Sequence, residues 1–308
     1  MEKEQISSHN NKTPFISIII LNFNQIEVTC QFLESCKNLT YPNFEIVLVD
    51  NASRENPEKI IKNKYPNVLF IRSTKNLGFT GGNNLGLRSA KGDFYFIVNN
   101  DTEVTPDLIE KLLQPFDLDP KIGMVSPKIK YFENSDIIQY AGYTPINPYT
   151  GRNRAIGMHQ KDGNLYNTSG YTNYAHGAAM MVKKEVVEKT GMFSEVFFIY
   201  YEELDWSARI KKMGYKIYYN ANAIIFHKES ITMGKESAIK AYFHNRNRIL
   251  FMKRNSTTLQ FLVFCIFFLF VVSPKQILYY SLKGQKEHLR NFFRAILWNI
   301  KNINKKFE

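Results

Sequence analysis

Four short runs in the first 115 residues are apolar throughout and rich in β-branched and aromatic side chains: Ile16–Leu21, Phe44–Val49, Val68–Ile71 and Phe94–Val98. Stretches with a helical rhythm lie between and after them, at Gln25–Lys37, Glu58–Lys64, Gly82–Ala90 and Pro106–Pro115. A strand with one wet face alternates polar and apolar residues; one without alternation is covered on both faces. Strands of the second kind alternating with helices predict an α/β chain, with a Rossmann-like, mostly parallel sheet flanked by helices. The continuation is less regular. Residues 120–175 read as long loops with hairpins, and Ala178–Val182 as an apolar run. Helices are expected at Lys184–Thr190 and Leu204–Met213, and short strands at Ile217–Tyr219 and Ala223–Phe226.

Ligands of an open parallel sheet sit at the carboxyl ends of its strands. The first strand ends in Asn22-Phe23-Asn24 and the second in Asp50-Asn51. The third leads to Asn76, Gly78, Gly81 and Gly82, and the fourth ends in Asn99-Asn100-Asp101. Asn, Asp and Gly terminate many strands for purely local reasons. Four neighbouring ends of the same character predict a crevice. The string NLGFTGGNNLGL (Asn76–Leu87) reads as the lead into a helix. Its glycines permit close backbone approach, and the helix N-terminus favours an anion, although it is neither GxGxxG nor a Walker A loop.

Two groups of side chains suggest chemistry. Asp101, in FIVNNDTEV, is placed to hold Mg2+ or Mn2+ together with substrate phosphates. Tyr200-Tyr201-Glu202-Glu203-Leu204-Asp205-Trp206 sets three carboxylates within four positions, flanked by Phe197, Phe198 and Ile199. An acidic helix start would account for the acids alone. The apolar flanks instead imply partial burial, which raises the pKa of one of these carboxyls and prepares a general base among the three acids. His227, in IIFHKES, becomes a metal-ligand candidate if it meets Asp101 across the crevice; His176 and His159 carry no such signal.

The charge is uneven. The chain of 308 residues has a formal charge of +12, yet from Gly234 onward 14 Lys and Arg face 3 acidic residues, leaving 26 against 25 before it. Leu259–Val272 inside this basic tail is uncharged and holds five phenylalanines; Lys253 and Arg254 precede it and Lys275, Lys283 and Lys286 follow. It is short of the ~20 residues of a spanning helix. Its basic flanks suit a helix lying in or dipping into a cytoplasmic leaflet, followed by an amphipathic helix at Arg290–Ile300. Cys30, Cys36 and Cys265 form no CxxC pair, which argues against a disulfide framework or thiolate zinc site and for a reducing compartment. No export signal is visible in polar residues 1–13.

SIIILNFN, VLVDNAS, NLGFTGGNN, FIVNNDTEV, GAAMMVKKEVVEKTGMFSE, YYEELDWSARIKKMGYKI and YFHNRNRI, in this order over Ile16–Asn255, resemble the family 2 glycosyltransferases of GT-A fold, particularly the rhamnosyltransferase-like branch. The resemblance implies an inverting, metal-dependent hexosyltransferase. Asp50, with backbone near Asn22 and Asn24, would contact the nucleobase. Asn76, Gly82, Asn83 and Asn100 would line the nucleotide-sugar pocket. Asp101 takes the metal-binding place, with His227 completing the site. Glu203 takes the base position with Asp205 the next acid along, and Arg246 and Asn247 fall near the pyrophosphate. Two departures stand out: the acidic element reads Asn99-Asn100-Asp101, with one carboxylate, and the base position holds Glu where relatives often have Asp.

The expected layout is a disordered tail at 1–13, a GT-A domain at 14–255 (nucleotide-binding half 14–115, acceptor and catalytic half 116–255) and a membrane-associating helical tail at 256–308. The resemblance favours dTDP-rhamnose as donor, with UDP-hexoses behind it. It also favours a glycan or lipid-linked acceptor at the cytoplasmic face of the plasma membrane. A nucleotidyltransferase would need a glycine- and lysine-rich loop after the first strand, which LNFNQIEV does not supply. A nucleic-acid partner is not expected, because the tail's phenylalanines form one apolar block instead of alternating with basic residues. A non-catalytic sugar-nucleotide-binding module would keep the crevice and lose the acids, which are present.

Overall fold

The structure, a computed structural model, describes residues 13–228 and 237–307. Apart from Thr13, the expected N-terminal tail lies outside the described residues. The chain runs through β1 (Ile16–Asn22), α1 (Ile26–Cys36), β2 (Phe44–Asp50), α2 (Glu58–Lys64), β3 (Leu69–Arg72), α3 (Gly78–Ser89) and β4 (Phe94–Val98). It continues with β5 (Thr102–Val104), α4 (Leu108–Leu113), α5 (Pro115–Leu118), β6 (Ile122–Tyr131), β7 (Ile137–Tyr140), β8 (Gln160–Lys161), β9 (Gly170–Thr172), β10 (Ala179–Lys183), α6 (Lys184–Thr190), α7 (Glu202–Lys212) and β11 (Lys216–His227). The tail is α8 (Ala238–Asn255), α9 (Thr258–Phe267), a π-helical stretch at Phe268–Val272, α10 (Ser273–Leu282) and α11 (Lys286–Lys301).

The sheet order is β3-β2-β1-β4-β10-β6-β11-β5, with β7, β8 and β9 extending it at β6 and β11. β1 lies parallel between β2 and β4, with Ile16 opposite both Phe44 and Phe94. Its residues are buried except for Leu21, which is partly so, as an apolar strand covered on both faces must be. The mostly parallel reading holds for this half. β10 then enters antiparallel to both β4 and β6, which makes the sheet mixed.

Three local expectations change. Residues 122–131, read as loop, form the ten-residue strand β6. Gly123, Ser126, Pro127 and Lys128 interrupt its apolar pattern, but it is buried between β10 and β11. Lys128 Nζ is satisfied there by Asp162 Oδ1 at 2.9 Å and by Asn167 Oδ1. The two short strands after residue 216 are one strand, β11, with an irregularity between Asn220 and Ile224. The glycine string does not lead into a helix; it is the helix. α3 begins at Gly78, and a Cβ on Gly86 would sit 2.5 Å from Ile19 Cγ2. One on Gly82 would sit 2.4 Å from Leu21 Cδ1. These glycines let α3 press against β1.

In the tail, Thr257 and Gln260 form a capping box at the start of α9. Thr258–Leu282 is one helical run of 25 residues, long and apolar enough to cross a membrane. One side of it, Phe264, Phe268, Val272 and Tyr280, packs with Leu250, Phe251 and Met252 of α8 and Phe292 of α11. The other side leaves Leu259, Leu262, Ile266, Leu269, Phe270 and Leu278 exposed. The following helix begins at Lys286, four residues earlier than its apolar pattern suggests.

Candidate active site

The carboxyl ends of β1, β2 and β4 are tied into one buried polar network. Asn22 Nδ2 donates to Asp50 Oδ1 at 2.8 Å and to Ser53 Oγ at 3.1 Å. Thr29 Oγ1 donates to Asn22 Oδ1 at 2.9 Å, and Asn100 Nδ2 donates to Thr29 Oγ1 at 2.9 Å. Asp50 is fully enclosed; its Oδ2 accepts from the Ser53 amide and lies 3.5 Å from Arg72. Asn24 is exposed in the left-handed region (φ 56°), where its carboxamide oxygen accepts from the Arg54 amide. Asn51, absent from the candidate set, links the third strand end to the second: its amide group reaches Asn76 Oδ1 and the Gly78 carbonyl, both at 3.1 Å. Asn76 itself is exposed. Gly82 faces Leu21 and Asn83 is buried with its carboxamide donating back to Phe79 O, so neither presents a side chain to the crevice.

β11 pairs antiparallel with β5, placing His227 opposite Thr102 and therefore beside Asp101. His227 Nε2 is 3.1 Å from Asp101 Oδ1, and both side chains are buried. The proximity is not a hydrogen bond: Asp101 Oδ1 has no donor among the described residues. His227 Nδ1 is 2.8 Å from Gln139 Oε1, an acceptor, so Nδ1 donates there and Nε2 is the ring atom turned to Asp101, with Asn99 Nδ2 3.5 Å from it. An unpartnered carboxylate oxygen and a ring nitrogen thus share one buried space. A cation satisfies both, and a histidine that donates its second nitrogen to an oxygen is the usual form of a metal ligand. No group of three or more His, Cys, Asp or Glu side chains suited to a metal exists among the described residues; a cation here would have to complete its shell with other oxygens, such as those of phosphates.

The second group of acids arrives through β10. Its antiparallel pairing with β4 brings the Asn99 amide to the Ala178 carbonyl at 2.9 Å. A Cβ on Gly177 would meet the Glu203 side chain at 3.8 Å, so Glu203 stands near the Asp101 end of the crevice. α7 starts after Phe198, Tyr200 and Tyr201, all with positive φ, a concentration of backbone strain of the kind that marks functional sites. Burial raises the Glu203 carboxyl to about 7. Burial first, and the Glu203 charge second, push Glu202 well above its usual range. One oxygen of each carboxyl is buried without a hydrogen-bond partner among the described residues. Burial thus favours the protonated form of Glu202 and brings Glu203 up toward neutrality.

Two candidates are committed elsewhere. Asp205, 1% exposed, accepts from Arg209 Nε at 3.1 Å, Arg254 Nε at 3.0 Å and Asn255 Nδ2 at 3.1 Å. It pins α7 to the end of α8. Arg246 donates to the carbonyls of Val196 and Phe197 at 2.6 and 2.7 Å, and Asn247 Nδ2 reaches those of Phe197, Ile199 and Tyr200. The Arg-Asn pair holds the strained loop. That loop in turn lies on the start of α3, where the Thr80 amide donates to Phe198 O.

His176 and Tyr143, neither a candidate from sequence, wall the crevice. Their rings are stacked 6.0 Å apart, and His176 is 6.4 Å from His227. Burial, reinforced by His227, pushes His176 down to about 3, so it is neutral. Its Nδ1 accepts from the Ala178 amide, leaving Nε2–H as a donor. Burial and Glu203 together raise Tyr143 well above its usual value. The only trace of this pair in the sequence is their place near an apolar run.

A mixed sheet with nucleotide-side strands at one half and an acid–histidine pair where the halves meet is the GT-A architecture. The solved mannosyltransferase of Pyrobaculum calidifontis, in complex with GDP-Man and Mn2+, superposes with a TM-score of 0.59 at 14% identity, over 94% of this chain and 88% of that one. Residues 1–349 of Staphylococcus aureus TarS superpose at 0.57 and 15% identity, over 91% and 80%. The family model of glycosyl transferase family 2 matches residues 17–191, and the chain belongs to that family. It is 25% identical to a low-salt glycan biosynthesis hexosyltransferase of Haloferax volcanii over 76% of this chain and 74% of the relative. It is 22% identical to an N-acetylglucosaminyl-diphospho-decaprenol L-rhamnosyltransferase of Mycobacterium tuberculosis over 72% and 78%. A Sinorhizobium fredii protein of uncharacterized function is 25% identical over 81% of this chain, which spans only 28% of that relative.

Proposed function

We propose that this chain is an inverting hexosyltransferase, dependent on Mg2+ or Mn2+, that moves a sugar from a nucleoside diphosphate to a glycan or lipid-linked acceptor in cell-surface polysaccharide synthesis. The observation that carries it is the buried Asp101 Oδ1, without a hydrogen-bond partner among the described residues, 3.1 Å from His227 Nε2 and near Glu203. A divalent cation held by these two and by the donor's phosphates would neutralise charge on the departing nucleoside diphosphate. The chain's own residues do the rest. The Asp50–Asn22–Thr29–Asn100 network fixes the nucleotide end of the crevice, with Asp50 and its Arg72 partner as the base-recognition wall. Glu203 takes the proton of the acceptor hydroxyl as that oxygen attacks the anomeric carbon opposite the leaving group. Asp205 and Arg246 act as positioning residues, holding α7 and the loop before it. The wall of His176 and Tyr143 excludes water.

Rhamnose from dTDP-rhamnose is the first donor to test, supported by the rhamnosyltransferase relative; UDP-hexoses come second. We place the protein at the cytoplasmic face of the plasma membrane. The exposed apolar side of the 258–282 run, flanked by lysines, would enter the leaflet while its buried side stays on α8 and α11. The test is nucleoside diphosphate release from a donor panel with membrane extract as acceptor. Release that needs Mg2+ or Mn2+, stops with chelator and is absent in Asp101→Ala supports the reading. Tight nucleotide binding without release from any donor would make the chain a non-catalytic binding module instead.

A further inference from the structure

A second cleft, of about 350 Å3, opens between α8, α10 and α11 on the tail side of Glu203. Tyr201, Lys240, His244, Arg248, Gln276 and Tyr280 are among its lining residues. Its chemistry is cationic. Arg248 donates to the carbonyl of Thr150, but its Nε is buried with no hydrogen-bond partner among the described residues. Its guanidinium lies over the rings of Phe264 and Phe268. No carboxylate among the described residues pairs with Arg248 or Lys240, and the charge-bearing groups that act on Arg248 are the Tyr201 phenol and a second cation, Arg152. A partly buried guanidinium with a second cation nearby and no carboxylate partner among the described residues favours an anion in the cleft it lines.

Position says which anion. Tyr201 lines the cleft and also feels the Glu203 charge, so a single side chain separates the cationic cleft from the base. On the other side, Gln276 and Tyr280 of α10 line the cleft while Leu278 and Leu282 of the same helix are exposed. The mouth therefore sits at the border of the outward apolar face. An anion bound at Arg248 has the proposed proton-accepting base on one side and a greasy surface on the other. We propose that this cleft binds the phosphate or diphosphate joining the acceptor sugar to a lipid, with Arg248 and Lys240 as its cationic contacts. The proposal rests on the transferase reading for its purpose. Its chemistry is testable without any transfer.

The full-length protein is bound to phosphatidylcholine vesicles carrying farnesyl diphosphate, farnesol or phosphatidylglycerol, with no donor present, so failure of the transferase reading leaves the result readable. Binding to the farnesyl diphosphate vesicles should exceed binding to the farnesol vesicles by about tenfold or more, the range expected for charge-assisted hydrogen bonds to one desolvated phosphate group. Arg248→Gln should bring the two together. Lys240→Glu, near the start of α8 and outside the core, should weaken binding in the same direction even if Arg248→Gln folds poorly. Lys301→Gln, on the exposed end of α11, should change little. Equal binding to phosphatidylglycerol vesicles, or an equal loss in Lys301→Gln, would reduce the effect to general basic charge and overturn the site. Inorganic diphosphate competing as well as the lipid diphosphate would overturn the lipid as the source of the anion.

Discussion

Glu203→Gln tests the proposed base through two readouts that move in opposite directions. Burial raises the Glu203 carboxyl from 4.5 to about 7. A base must be ionised to work. About a tenth of the molecules are competent at pH 6, about half at pH 7 and about nine-tenths at pH 8, from the ordinary titration relation. The wild-type kcat/KM should thus climb steeply with pH below 7, approaching about tenfold per pH unit, and level off above it. The glutamine variant should lose about 10²–10⁴ of the rate at pH 8. Stability runs the other way. Between pH 4.5 and 7 the unfolded chain releases a proton that the folded chain keeps, so stability falls as pH rises through this window and stays low above it. The displacement from 4.5 to about 7 corresponds to at most roughly 3 kcal/mol. Glutamine carries no such penalty. The variant should melt higher than wild type at pH 8, by about 5 °C at most, and close to it at pH 4.5. Turnover assays and melting curves across pH 4.5–8 read both. A wild-type rate flat from pH 6 to 8, or a glutamine variant retaining more than about a tenth of wild-type turnover, would refute the assignment.

Asp205→Asn leaves two partly buried guanidiniums without their carboxylate and should cost about 3–5 kcal/mol, with turnover per folded molecule kept within a few-fold; severe loss of turnover at unchanged denaturation midpoint would return the base role to Asp205. Gly86→Ala puts a methyl 2.5 Å from Ile19 Cγ2, in the buried face between α3 and β1, and should destabilise by about 1–3 kcal/mol in urea melts; a neutral outcome would mean α3 can lift off the sheet freely. Leu269→Lys with Phe270→Lys alters two exposed side chains, so thermal stability should hold. The membrane partition coefficient read by vesicle co-sedimentation should fall by about two to four orders of magnitude, from the loss of ~1.5–3 kcal/mol of burial for each of the two side chains; unchanged sedimentation would remove the apolar face from membrane contact.

Much of this protein follows from local pattern. Unbroken apolar runs separated by helical stretches specify a covered parallel sheet, since no other packing hides both faces of such strands. The polar ends of those runs, Asp101 among them, mark the crevice edge, and Glu203 lies where apolar flanks make a carboxylate costly. The rest depends on partners remote in the chain. β6 was illegible because Lys128 breaks its pattern, and only the fold supplies Asp162 to satisfy it. The glycine string looked like a phosphate cradle, and the sheet beneath it shows that small residues were needed for close packing. Asp205 and Arg246 read as site residues until their hydrogen bonds, to Arg254 and to the 196–197 carbonyls, showed where they are committed. His227 joins Asp101 only because β11 pairs with β5. Local sequence records how much each residue must be buried, through hydrophobicity and its period. Which buried polar groups meet is settled by strand order and register, and these are decided by the packing of the whole sheet.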